Sequence, residues 1–354
     1  VRVCFYHRDA AWTGQARAFA DAARALRDRG YEVSMVAQRD GEAARCFAEQ
    51  GFETHTLRTD ASWIRVGWRL RRVLAGRFVE VVFVHGEREQ LEAAAAVRLA
   101  DRGAIMRRVP PLGHLTLGRD ARLGMRLASS GFLFAFDEDL RAARPPRRAL
   151  EPVVAPPAVE PGASPRRDAS APPVIVAIFD RARRVEIAVL LRAAAFLSER
   201  HPDLRFTLVG PPDHDDAIRL QAAALGVAPI VTLVADPAAR TATIAAATLA
   251  WVCADGDDAS YGLLDAQRLG VPVVTTRDPL NARFIRDDVD GVLTAPVDPA
   301  ALAAIFAALL ADPARIARLA SGGIAAAARW TGDAMAEGFE RAAAAARDRT
   351  RWRV

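Results

Sequence analysis

The chain has 354 residues, 51% of them hydrophobic, with 48 basic and 43 acidic side chains and a formal net charge of +5. That length accommodates two ordinary domains with separate cores, and no apolar run is long enough to form a membrane-spanning helix. All 48 basic residues are arginine and Asn281 is the only asparagine. This is the signature of a GC-rich coding sequence, which makes the positive charge a poor guide to partners and excludes any lysine chemistry.

The opening run, 1–6, reads as a buried strand. It lacks the charged head and cleavage site of a signal peptide, so a cytoplasmic location is expected. Alternation and apolar runs place further strands at 31–37, 52–57, 79–84, 104–109, 131–135 and 152–155. The helix after the first strand is marked by Ala18, Ala22, Ala25 and Leu26 at helical spacing and by Gly30 as its stop. Strand–helix alternation of this kind implies a parallel sheet covered on both faces.

One helix in this half, 62–74, has two distinct sides. Trp63, Val66, Leu70, Val73 and Leu74 share a face, Arg65, Arg69 and Arg72 lie opposite, and Trp68 stands on the border. It can be an ordinary amphipathic helix, or an arginine surface that rests on anionic lipid. No aromatic interleaving or motif points to nucleic acid.

Six prolines between Pro156 and Pro173 interrupt the rhythm and read as a linker at 161–172. The rhythm then restarts, with strands at 173–178, 204–209, 230–234, 249–253, 271–274 and 291–295. Helices are expected near 185–200, 213–225, 237–247, 260–269 and 298–311. The expected domains are therefore 1–160 and 173–332, followed by a terminal segment, 333–354. Periodicity gives that segment a helix at 333–347 but does not say which domain it joins. Cys4, Cys46 and Cys253 are scattered, so neither a disulfide framework nor a metal site is expected.

The most informative segment is 257–274. Asp257 and Asp258 lead through Ser260, Tyr261 and Gly262 into an apolar helix that carries Asp265, stops at Gly270 and is followed by a Pro-led strand. Loops of this design at strand ends offer amide groups and a helix N-terminus to a phosphate, and a nearby carboxylate can take sugar hydroxyls. The pattern resembles the nucleotide-sugar site of retaining GT-B glycosyltransferases of the family-4 type (glycosyl transferases group 1).

Other segments are similar to the same family. They are Thr13-Gly14-Gln15 with its following helix, 154–161 at the exit from the first domain, 196–210 and 287–302. The resemblance implies an α/β GT-B fold, two Rossmann-like domains facing each other across a cleft. It also implies transfer of a sugar from a nucleotide-diphosphate donor to a glycan or lipid-linked acceptor, as in bacterial polysaccharide biosynthesis. Retention of configuration is implied as well, with no cofactor or metal and with peripheral contact on the inner membrane face.

Site residues carry over position by position. Asp265 would hold the ribose and Asp257 the transferred sugar, with Asp258 a rival, although the family has glutamates there. The family's Arg and Lys for the diphosphate fall on Asp180 and Val185 without a gap. A one-residue slip presents Arg181, Arg183 or Arg184 instead, and arginine can grip a diphosphate bidentately. Gly210, Ser260, Tyr261 and Gly262 would approach the nucleotide through backbone, Gly14 would do so from the first domain, and His85 would stand near the reacting sugar. His7 ends its strand in a similar way. The shortened carboxylates leave room for two other readings, a non-catalytic binding or regulatory protein and a nucleotide-sugar epimerase of the same fold.

Overall fold

A computed structural model describes residues 1–160, 171–211, 215–295 and 298–351. Most of the anticipated linker, residues 161–170, lies outside the described residues. The chain forms two compact units, Val1–Ala158 with Thr331–Val354, and Val159–Trp330.

The first unit is built on seven parallel strands: β1 (Arg2–His7), β2 (Glu32–Gln38), β3 (Glu53–Leu57), β4 (Val81–Val84), β5 (Ala104–Val109), β6 (Ser130–Phe134) and β7 (Val153–Val154). Their order is β3-β2-β1-β4-β5-β6-β7. The helices are α1 (Gly14–Asp28), α2 (Glu42–Glu49), α3 (Trp63–Gly76), α4 (Glu87–Ala100), α5 (Arg119–Leu127) and α6 (Asp137–Ala143). Each strand lies where alternation placed it, its ends shifted by a residue or two. Central strands such as β4 are buried along their whole length, as a sheet covered on both faces requires.

The second unit repeats the plan with β8 (Val174–Phe179), β9 (Arg205–Val209), β10 (Val231–Val234), β11 (Leu249–Cys253), β12 (Val273–Thr276) and β13 (Val292–Thr294), in the order β10-β9-β8-β11-β12-β13. Its helices are α7 (Arg184–Ser198), α8 (Asp215–Ala224), α9 (Arg240–Ala245), α10 (Gly256–Arg268), α11 (Asn281–Phe284), α12 (Pro299–Leu310) and α13 (Pro313–Ala327). In each sheet the strand order reverses once, between β1 and β4 and between β8 and β11. Crevices at the carboxyl ends of such strand pairs are where sheets of this kind bind ligands.

Two elements needed the structure. Helix α13, which holds Gly322 and Gly323, is absent from the sequence-based expectations. The two glycines admit close packing: a Cβ on Gly322 would lie 2.1 Å from the Val289 carbonyl oxygen, and one on Gly323 would lie 3.4 Å from Gln267. Asp312 starts this helix by accepting the Arg315 amide at 2.9 Å, with Pro313 in its first turn.

The last helix, α14 (Gly332–Arg351), belongs to the first unit. Phe339 packs on Phe5 and Phe83, with ring centroids 5.8 and 5.0 Å away, and Met335, Ala342, Ala343 and Ala346 complete that face of the core. Burying Phe339 alone stabilises the unit by about 2 kcal/mol. Arg29 reaches Asp333 and Glu340, and Arg347 reaches Glu80 at 3.0 Å, which fixes the helix along its length.

Candidate active site

In the second unit, β8 and β11 run side by side, with Phe179 opposite Cys253. The turns that follow them are sewn together by carboxylates. Asp180 ends β8 and accepts the amides of Ala182 at 2.8 Å and Arg183 at 3.2 Å on one oxygen, and the amide of Asp255 at 2.6 Å on the other. Asp255 is the N-cap of α10, yet its side chain makes no capping bond. It faces Arg183 instead, whose Nε and Nη2 reach its two oxygens at 3.0 and 2.5 Å while Nη1 donates to Glu186 at 2.8 Å. The bonds to Asp255 are the main reason the Arg183 guanidinium holds its proton more tightly than an ordinary arginine.

Helix α10 begins at Gly256, a full turn before the expected start at 260. This corrects one assignment. The amides of Ser260, Tyr261 and Gly262 lie in the second turn, where a helix bonds each to the carbonyl four residues back, so they are not the groups that would meet a phosphate. The amides that the start of the helix turns outward belong to Gly256, Asp257 and Asp258. The Ser260 hydroxyl donates to the Gly256 carbonyl at 2.9 Å, and Tyr261 is buried. Gly262 serves packing, since a Cβ there would stand 3.1 Å from Ile178 and from Val252. Gly210 lies beneath the Phe179 ring, whose atoms would come within 2.4 Å of an added Cβ.

Asp257 is buried in the first turn of α10. Asp265, in the third turn, is fully buried between Arg268 at 3.0 Å and Arg240, at the start of α9, at 3.4 Å. Of the three candidate arginines, Arg183 has the partners given above, Arg181 is exposed in the turn after β8, and the Arg184 side chain lies outside the described residues. The sequence placed Asp180 at the family's arginine position without giving it a role of its own, and it missed Asp255, Arg240 and Arg268. A signal existed for Asp180 alone, an acidic residue ending a strand just before an arginine-rich turn.

At the corresponding point of the first unit, Gly14 opens α1 behind Thr13, whose hydroxyl accepts the Ala16 amide at 3.3 Å. His85 follows β4 and is buried, with its ring 3.7 Å from that of Phe19. Its Nε2 donates to the Gln15 carbonyl at 2.9 Å, which leaves Nδ1 as an acceptor, and among the described residues Nδ1 has no hydrogen-bond partner. Burial, and then the nearby charges of Arg108 and His7, hold its pKa well below the usual histidine value. His7, 6.0 Å from it, is also buried and shifted down by burial.

Beneath the two rings, Glu89 accepts the amides of Arg8, His85 and Gly86 at 2.6, 2.7 and 2.7 Å. Glu92 accepts the Tyr6 hydroxyl at 2.7 Å and faces Arg8 and Arg88. Burial raises its pKa even so. This end of the sheet thus presents neutral imidazoles on a closed acidic base. It can take hydroxyl hydrogen bonds, and the cation beside it, Arg8, is engaged by Glu92 and by the Thr59 carbonyl.

Residues 173–312 match the family described as glycosyl transferases group 1. A D-inositol 3-phosphate glycosyltransferase from Thermobispora bispora is 35% identical over 155 residues, which are 40% of this chain and 36% of that protein. One from Xylanimonas cellulosilytica is 43% identical over 91 residues, 25% of this chain and 20% of that protein. The matches therefore span about a third or less of these relatives' length.

Among solved structures, Anabaena HepE in complex with UDP and glucose superposes with a TM-score of 0.76 at 16% identity, covering 96% of this chain and 98% of its own. A sucrose-phosphate synthase from Thermosynechococcus elongatus gives 0.70 at 16% identity, covering 96% and 97%. At such identity the likeness is one of fold. Residues 173–312, within the second unit, are thus similar to the glycosyl transferases group 1, and the chain has the α/β fold of two Rossmann-like units found in GT-B proteins.

Proposed function

We propose that this protein is a glycosyltransferase that takes a sugar from a nucleotide-diphosphate donor bound in the second unit. The observation that carries the reading is the coincidence of three features at one point of the sheet. The strand order reverses between β8 and β11, the N-terminus of α10 opens there, and Arg183 stands beside it. Amide dipoles and a guanidinium fork are what a diphosphate leaving group needs as its charge grows. Asp257, in the first turn of α10, is the carboxylate placed to meet the transferred sugar, and Asp265 is assigned to the ribose. That ligation requires the ribose to share Asp265 with Arg240 and Arg268. The relatives bear on this reading through what is known of them: HepE was solved with UDP-glucose, and the curated matches carry glycosyltransferase names.

Cationic and amide groups supply the charge stabilisation in this scheme, which needs neither a metal nor another cofactor. A front-face, retaining displacement fits a site with no evident protein nucleophile. The first unit is assigned the acceptor, a glycan or lipid-linked sugar. Its neutral His85 would accept a hydroxyl hydrogen bond at Nδ1, which a ring-burying rearrangement of Phe19 or α1 would have to uncover.

A location at the inner membrane face is part of the same reading. No single helix among the described residues is long and apolar enough to cross a membrane, but α3 has the composition of a surface contact. Ile64, Trp68 and Phe78 are 57%, 48% and 53% exposed, and Arg72 stacks over Trp68 at 4.2 Å. Among the described residues no carboxylate pairs with Arg65, Arg69, Arg71 or Arg72; Arg69 and Arg71 donate only to the carbonyls of Arg58 and Leu99.

The paired state of Arg183 and Asp265 favours one rival, a protein that keeps the architecture and has lost transfer. Calorimetry with UDP, GDP and ADP, followed by turnover of the matching nucleotide sugars, separates the two. Micromolar binding of one nucleotide with release of its diphosphate in the presence of acceptor is the expected outcome. Binding without turnover in any acceptor mixture supports the rival, and no binding of any of the three removes the donor site altogether.

A further inference from the structure

In the cluster between β8 and β11 the Arg183 guanidinium is met by two carboxylates. Glu186 and Asp255 accept from the Arg183 guanidinium, Asp180 accepts its backbone amide, and Asp255 occupies both prongs of the guanidinium fork. That bidentate geometry is the one a phosphate would use. Asp255 is also out of its ordinary role. An aspartate at an N-cap commonly accepts an amide of the first helical turn, and this one makes no such bond although its backbone is extended, at φ −115° and ψ 159°, as an N-cap requires. Its side chain is more than half exposed and its partner about a third, so the pair can part without disturbing the core.

We propose that Asp255 is a built-in competitor for the donor's diphosphate and the residue that sets how tightly this site holds nucleotide. The inference rests on the donor-site reading above. In the empty site Asp255 holds Arg183. An arriving phosphate oxygen takes over the Nε and Nη2 donors, and the released carboxylate turns through its own side-chain torsions toward solvent, leaving the first-turn amides of α10 to the phosphate. Asp180 keeps the Asp255 backbone fixed throughout, because it grips the amide and not the carboxylate. One guanidinium contact is exchanged for another, so binding is weaker than an unoccupied arginine would give. Release of the nucleoside diphosphate after transfer is correspondingly faster.

The test measures UDP and GDP dissociation constants by calorimetry for the intact chain, D255N, R183Q and the double variant, with D255S as a second uncharged replacement. Thermal melts show that each variant folds. Removing the competing charge is expected to tighten binding of the preferred nucleotide roughly tenfold, as loss of a close like charge does. R183Q is expected to weaken it by about the same factor, and in that background the D255N change should alter affinity by less than about twofold.

Equal or weaker binding by folded D255N and D255S overturns the proposal and leaves the donor site standing, with Asp255 merely positioning Arg183. A tenfold gain that survives in R183Q also overturns it, because Asp255 would then act by plain repulsion. If neither the intact chain nor any variant binds either nucleotide, the donor-site reading itself fails.

Discussion

Two regions use arginine in opposite ways, the strand-order reversal of the second unit and helix α3 of the first. Around the strand-order reversal of the second unit, Arg183, Arg240 and Arg268 are each held by carboxylates of their own unit. On α3 of the first unit, the outward arginines pair with no carboxylate among the described residues, and exposed Ile64 and Trp68 stand among them. The corresponding reversal in the first unit carries buried imidazoles whose pKa values burial lowers. A cation with an internal partner fixes geometry and can exchange that partner for a ligand. A cation left without one on a half-apolar face raises the local potential toward whatever anionic surface the protein meets.

The sharpest way to break this contrast is Asp265→Ala. It leaves Arg240 and Arg268 facing a vacated buried position, and the second unit should lose about 3 kcal/mol of stability, read as a lower melting temperature. Any nucleotide-induced rise in that temperature should vanish with it. A variant that melts like the parent would show that the two guanidiniums find water, and Asp265 would then be no anchor.

Acidification tests the other side. His7 and His85 both have pKa values depressed below the ordinary 6.5 by burial, so the folded state takes up protons less readily than the unfolded chain. Their contribution is therefore intact above pH 6.5 and declines as the pH falls below it. The melting temperature of the first unit should fall between about pH 7 and about pH 5, and His7→Phe should flatten part of that fall. A flat profile in the parent chain would mean the rings charge without cost.

The smallest effect on stability concerns α3. Trp68→Ala removes an exposed cation–π pair worth about 0.5–1 kcal/mol, and Arg65→Glu with Arg72→Glu should cost no more. Sedimentation with phosphatidylglycerol vesicles should nevertheless drop several-fold in both, while phosphatidylcholine vesicles retain neither parent nor variant. Equal sedimentation of parent and variants would return α3 to the status of an ordinary amphipathic helix.

Much of the architecture was open to reading because its signals are local. Val81–Val84 is apolar throughout and must be buried on both faces, and the 62–74 pattern already separates Leu70 from Arg72. The site was legible only in outline. The 257–274 segment located it, but the start of α10 depends on Asp255 following the end of β11, which moves the outward amides from residues 260–262 to 256–258. Arg181, Arg183 and Arg184 were equivalent as letters. What distinguishes Arg183 is a carboxylate 72 positions away, brought near by the pairing of β8 with β11.

By itself, the sequence determined the rhythm of two parallel sheets, the apolar stripes of their helices and the family to which the acidic segment points. Those follow from side-chain periodicity and from spacing along the chain. Tertiary structure alone decided that α14 returns to the first unit, that glycines 322 and 323 sit inside a helix, and which carboxylate each arginine meets. Such outcomes depend on which surfaces and charges come within a few ångströms of each other, and residues distant in sequence acquire that proximity only when the sheets assemble.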